Sequence, residues 1–145
     1  MTTPSSTERP VLDIEQLVSG RPDTVFQAWL DPEQLKLWFC GSNTTMSCVE
    51  IDARVGGGYR IVMSDGDRDW SHTGIYQEID PPRRLVFTWC TPSTNEQETL
   101  VTVTLKAEAG KTRLRLVHER LPAATFEGHR DGWVELFGKL DDLLG

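Results

Sequence analysis

The hydrophobic periods along the chain predict an α+β fold in which a curved antiparallel sheet of about seven strands wraps around one long C-terminal helix, with two short helices after the first strand. Three observations predict it. From Met46 to Glu119 a period of two recurs in six segments separated by turn residues. A helical period returns after Pro122 and runs to the end of the chain. Between Pro22 and Trp38, two short helical signals follow the first strand directly.

Val11 to Ser19 alternates as a strand, with Leu12, Ile14 and Val18 on one face and Asp13 and Glu15 on the other, although Gln16 falls on the apolar side. Gly20, Arg21 and Pro22 break it. Pro22 suits the first position of a helix, where its missing N–H would have no partner anyway, and Asp23 suits the positive helix end. Val25, Ala28 and Trp29 share one side of this helix, which ends near Leu30. A second helix starts at once. Asp31, Pro32 and Gln34 read as a capping box: Asp31 accepts a backbone N–H and Gln34 reaches back, before Leu35 and Trp38 supply the buried side.

In the first strand of the long run, Val49 and Ile51 oppose Glu50 and Asp52; Gly56, Gly57 and Gly58 then turn the chain into Tyr59, Ile61 and Met63, which makes a hairpin. This glycine run lacks the lysine of a phosphate-binding loop and leads into a strand rather than a helix, which excludes Walker-type binding. The remaining strands run from Trp70 to Ile79, Leu85 to Thr91, Thr99 to Ala107 and Thr112 to Glu119. Their separators, Asp65-Gly66-Asp67, Asp80-Pro81-Pro82, Pro92 to Glu96 and Gly110-Lys111, are short turns, so neighbours pair antiparallel. Val101, Val103 and Leu105 oppose Thr102 and Thr104, while Leu114, Leu116 and His118 oppose Arg113 and Arg115: one face is dry. In the terminal helix Phe126, Trp133, Phe137, Leu140 and Leu144 form a stripe, with Glu127, Asp131, Glu135 and Asp142 largely opposite.

The 145 residues fit one domain, expected over 11–145 behind a loose Thr-, Ser- and Pro-containing tail over 1–10 that has no apolar region of a signal peptide. Fifteen basic against twenty-two acidic residues leave a net charge of −7 with no basic cluster, which argues against a nucleic-acid partner. Cys40, Cys48 and Cys90 are odd in number and widely spaced, so neither a disulfide framework nor a zinc knuckle is indicated and a reduced, cytoplasmic location is expected. No apolar run approaches the roughly 20 residues of a membrane span.

The segment Arg21-Pro22-Asp23-Thr24-Val25-Phe26-Gln27-Ala28-Trp29-Leu30-Asp31-Pro32-Glu33, continuing to Trp38-Phe39, resembles the opening of the activator of heat-shock protein 90 ATPase homologue family, within the SRPBCC or START-like superfamily. Asp52 to Gly57, Gly74 to Ile79, Pro82 to Trp89, and the closing His118-Glu119 and Gly132-Trp133 follow in family order. The resemblance implies a helix-grip fold of the START-like or Bet v-like kind, with a pocket between sheet and helix. It does not imply one activity, because the superfamily includes ligand carriers, cyclases and co-chaperones.

Which residues would serve such a pocket is read from the pattern. Trp89, His118 and Trp133 are the first candidates, on the dry face and mid-helix, with Tyr59, Trp70, Phe126 and Phe137 behind them. His118 is either a polar anchor for a ligand head group or a core histidine with its own partner. The face of His72 is undecided, and His129, four before Trp133, would rim the pocket. Gly128 and Gly132 each weaken a helix, and close approach of helix to sheet is the expected reason, with a gap for a ligand beside Trp133 as the alternative. No HExxH, GxSxG or Cys/His signature occurs, so no catalytic residue, metal ligand or cofactor is expected. The expected function is binding of a small hydrophobic molecule without bond chemistry. The alternatives are stimulation of a heat-shock protein 90 chaperone through the sheet exterior, and a cyclase or hydrolase acting in the cavity. An edge-to-edge homodimer is compatible with this reading but not demanded by it.

Overall fold

The computed structural model describes residues 11–40, 44–94 and 97–145. The tail expected over 1–10 lies outside the described residues, as do Asn95 and Glu96 of the last long turn. Strand β1 (Leu12–Val18) leads into helices α1 (Pro22–Leu30) and α2 (Pro32–Trp38). Strands β2 (Thr45–Ile51), β3 (Gly58–Ser64), β4 (Asp69–Asp80), β5 (Arg84–Trp89), β6 (Thr99–Glu108) and β7 (Lys111–Glu119) follow, and helix α3 (Phe126–Leu144) closes the chain. All neighbours in the sheet are antiparallel, in the order β1-β7-β6-β5-β4-β3-β2. The fold is therefore the helix grip.

The two short helices form where the sequence places them, with one difference at their junction. The Asp31 carboxylate accepts from the Glu33 N–H at 2.9 Å, and Gln34 does reach back, but its amide donates to the Asp31 carboxylate at 3.3 Å. The backbone N–H of Asp31 is already committed to the Gln27 carbonyl, which closes α1, so the second half of a capping box has no donor to meet.

The sheet bends at β4. Its first half pairs with β3 and its second half with β5, and an irregularity between Tyr76 and Glu78 puts an extra residue in the strand. Gly74 sits at the crossing: a Cβ built there would lie 1.9 Å from the Thr88 carbonyl oxygen and 2.5 Å from the Tyr59 ring. The missing side chain lets the Tyr59 hydroxyl donate to that same oxygen at 2.6 Å.

Alternation along β6 and β7 delivers Val101, Val103, Leu105, Leu114, Leu116 and His118 to the core, as their spacing predicts. Helix α3 covers this face unevenly. Near its C-terminus the Asp141 carboxylate accepts from the Ser19 N–H at 2.7 Å and the Lys139 ammonium donates to the Cys40 carbonyl, which ties the helix to the end of β1 and the end of α2. Leu140 is completely buried there, and burying a leucine contributes about 1.5–3 kcal/mol. The buried residues of α3 are Trp133, Leu136, Phe137 and Leu140; its first seven residues bury none. The helix is seated at one end and stands off the sheet at the other. Among the described residues, no helix is long and apolar enough to cross a membrane.

Candidate functional site

Where α3 stands off, a cavity of about 420 Å³ opens between the helix and the sheet. Met63 on β3, His72 on β4 and Trp89 at the end of β5 form one wall, with Thr91 just beyond. Gly128, His129, Gly132, Trp133 and Leu136 form the other, and Ala124, Thr125 and Glu135 stand at its edges. A Cβ added at Gly128 or Gly132 would meet nothing within 4 Å. The expectation of close helix-to-sheet approach at these glycines is therefore corrected: they leave volume rather than allow contact. Each costs about 1 kcal/mol of helix stability relative to alanine, and what the fold obtains in return is open space beside Trp133.

Five aromatic rings back this cavity. Trp89 and Trp133 lie 5.2 Å apart between ring centroids, with Phe39 at 5.9 and 5.7 Å from them and Trp29 at 6.0 Å from Trp133. His72 packs on Trp89 at 5.0 Å. Their polar atoms are largely satisfied. The indole N–H of Trp133 donates to Nδ1 of His118 at 3.1 Å, and Nε2 of His118 lies 2.8 Å from the Thr99 hydroxyl, which itself donates to the Trp89 carbonyl at 2.7 Å. The indole N–H of Trp89 donates to Nε2 of His129 at 3.3 Å, and Nδ1 of His129 lies 2.9 Å from the Thr125 carbonyl.

An indole can only donate, so the ring nitrogen facing each indole must be bare. His118 is thereby fixed with its proton on Nε2 and His129 with its proton on Nδ1. Burial acts in the same direction, disfavouring the charged imidazolium: it pushes His118 down to about 3, His72 down to about 4, and His129 below the ordinary histidine value. Three neutral imidazoles thus surround the tryptophans. Among the described residues the cavity wall contains no lysine or arginine, and Glu135 at its edge is its only carboxylate. Both nitrogens of His118 and of His129 are engaged.

Of the residues singled out in the sequence, Trp89 and Trp133 line the cavity, and His129 rims it. His72, Gly128 and Gly132 line it as well, whereas His118, Phe137, Tyr59, Trp70 and Phe126 are not in its lining. His118 is fully buried behind Trp133 with both nitrogens paired, so it is a core histidine with its own partners and not a wall residue. Phe137 is fully buried beneath Trp133, at 6.0 Å between centroids. Tyr59 belongs to the packed core between Tyr76 and Phe87. Trp70, near the start of β4 and paired with Met63, is not in the lining but lies under the Arg68 guanidinium at 5.1 Å, and Phe126 packs against the core edge from the first turn of α3. Sequence reasoning missed Met63, Thr91 and Leu136 as wall residues and left His72 undecided. Alternation could have found Thr91, because it continues the inward series Phe87, Trp89. A wider groove of about 780 Å³ beside β3 and β4 is lined by the charged Glu50, Asp52, Arg60 and Glu98 together with Ile51, Tyr59 and Ile75. Among the described residues no group of three or more His, Cys, Asp or Glu side chains is placed to hold a metal ion.

Comparison with solved structures places this architecture among known relatives. The chain is similar to protein CV1439 from Chromobacterium violaceum, at 26% identity over 92% of this chain and 96% of that one, with a TM-score of 0.84. It is also similar to a protein from Rhodobacter sphaeroides, at 22% identity over 92% and 91% with a TM-score of 0.83. A third similar structure is the AHSA1-like protein from Aeromonas hydrophila, at 21% identity over 92% and 90% with a TM-score of 0.77. A search of curated proteins returns no match. The model of the family described as Activator of Hsp90 ATPase homolog 1-like protein matches residues 20–145, nearly the whole chain, and the protein belongs to that family.

Proposed function

We propose that the protein binds one small hydrophobic molecule in the cavity between Trp89 and Trp133 and performs no bond chemistry on it. The observation that carries this reading is the cavity lined by Gly128 and Gly132 on the helix, where an added Cβ would meet nothing within 4 Å, and by Trp89 and Trp133. A cavity of about 420 Å³ lies within the roughly 300–1,000 Å³ range of small-molecule pockets. Its walls are also held in place before any ligand arrives, because Trp133 is tied through His118 and Trp89 through His129. Preorganisation of this kind lowers the ordering cost of binding. His118 and Phe137 serve in this reading as supports behind Trp133.

The test is native mass spectrometry combined with tryptophan quenching against a panel of lipids and polyketides. The expected result is a one-to-one adduct with saturable quenching for at least one member. Absence of both across the panel contradicts the reading.

A further inference from the structure

Two buried polar atoms break the pattern of satisfied partners: the indole N–H of Trp29, in the ring layer behind the cavity, and one atom of the cavity wall itself. The Thr91 hydroxyl is buried and makes no hydrogen bond, although the residue lines the cavity. Natural interiors seldom leave such a group alone, and an exception calls for a reason. The surroundings make the exception sharper. The Thr94 hydroxyl accepts from the Thr91 N–H at 3.1 Å and lies 2.9 Å from the Thr91 carbonyl, so the Thr91 backbone is held at both of its polar groups by the next threonine. Only the side chain is left over. Thr91 as a whole is only 1% exposed, so its hydroxyl would meet an occupant of the cavity through a rotation about χ1 that exchanges it with the methyl group.

The charge around the cavity narrows what can meet that hydroxyl. Among the described residues the wall holds no basic residue, Glu135 is at its edge, and the chain carries a net charge of −7. A carboxylate buried here would have no cation and a like charge nearby, which penalises it strongly. A hydroxyl or carbonyl carries no such penalty and would supply the partner that Thr91 lacks.

We infer that Thr91 is the polar anchor of the cavity, and that the occupant is an uncharged, ring-bearing, largely apolar molecule with one hydroxyl or carbonyl directed at it. This rests on the cavity-binding reading above and adds the ligand's chemical class. It carries a further consequence. Because no protein group partners the hydroxyl, Thr91→Val removes an unsatisfied group at nearly constant shape and does not lower the melting temperature, while it does remove the anchor.

The experiment uses three matched probes, naphthalene, 2-naphthol and 2-naphthoate, titrated at pH 7.5 and read from the indole N–H resonances of Trp89 and Trp133. The wild type is expected to bind 2-naphthol about fivefold more tightly than naphthalene, the worth of one added hydrogen bond. It is expected to bind 2-naphthoate at least about tenfold more weakly than 2-naphthol. Thr91→Val should bring 2-naphthol down to the affinity of naphthalene and leave naphthalene unchanged, whereas Thr91→Ser should keep the preference. Equal binding of naphthalene and 2-naphthol by the wild type, a preference that survives in Thr91→Val, or tightest binding of 2-naphthoate each overturns the anchor while leaving the cavity reading intact. If none of the probes shifts either resonance, both fall together.

Discussion

Trp133 and His118 are joined by a hydrogen bond of 3.1 Å in which a donor-only indole fixes the tautomer of a fully buried imidazole. The pair sits where α3 meets β7 and transmits the rigidity of the sheet to the cavity wall. Replacing His118 by leucine strands the Trp133 N–H in a dry site. Urea unfolding should show a loss of about 2–3 kcal/mol, and a double-mutant cycle with Trp133→Phe should return a coupling of about 1 kcal/mol.

Acid should destabilise the protein well before its carboxylates titrate. His118, His72 and His129 all have native affinities for protons below that of an ordinary histidine at 6.5, because burial opposes their charge. Below pH 6.5 the unfolded chain therefore binds protons that the native state refuses, and stability falls as pH falls. For His118 the window runs from 6.5 down to about 3, and for His72 down to about 4. Each histidine that stays neutral contributes a slope of up to about 1.4 kcal/mol per pH unit. Urea midpoints measured from pH 7.0 to 4.5 should decline steadily. A flat profile over that range would show that the imidazoles are not held neutral.

Glycines in this fold should respond to alanine in opposite ways. At Gly132 a methyl group meets open space, so Gly132→Ala should stabilise the protein by about 0.5–1 kcal/mol in thermal or urea unfolding. At Gly74 the same methyl lies 1.9 Å from a backbone oxygen, so Gly74→Ala should cost about 3 kcal/mol or more, or prevent folding. The sequence shows both residues only as glycine; what surrounds a missing side chain is a tertiary fact. That is why the helix glycines were expected to mark close approach and in fact mark a gap.

The same distinction runs through the rest of the site. The strands and helices were legible because periodicity and turn chemistry are local properties, and alternation in Val101-Val103-Leu105 and Leu114-Leu116-His118 reports the buried face directly. Trp89 and Trp133 were legible for that reason. Trp70 shows the limit of that signal: it pairs with Met63 and stands two residues before His72, both of which line the cavity, yet it is not itself part of the lining, and alternation reports a face but not where a cavity on that face ends. His118 was placed correctly on the dry face, yet its partners Thr99 and Trp133 come from another strand and a helix, which spacing cannot reveal. Thr91 was passed over because threonine on an inward face looks unremarkable until its hydroxyl is seen to have no partner.

The most direct test of the central claim compares the wild type with Gly132→Leu, whose side chain would occupy the volume in front of Trp133. For any hydrophobic ligand found to bind, indole N–H titrations of the wild type should shift Trp89 and Trp133 while leaving Trp38, whose N–H is tied to the Ala28 carbonyl at 3.0 Å, unmoved. In folded Gly132→Leu that saturable shift should disappear. Undiminished binding by the leucine variant, or shifts centred on Trp38 or Trp70, would contradict a ligand held between helix and sheet.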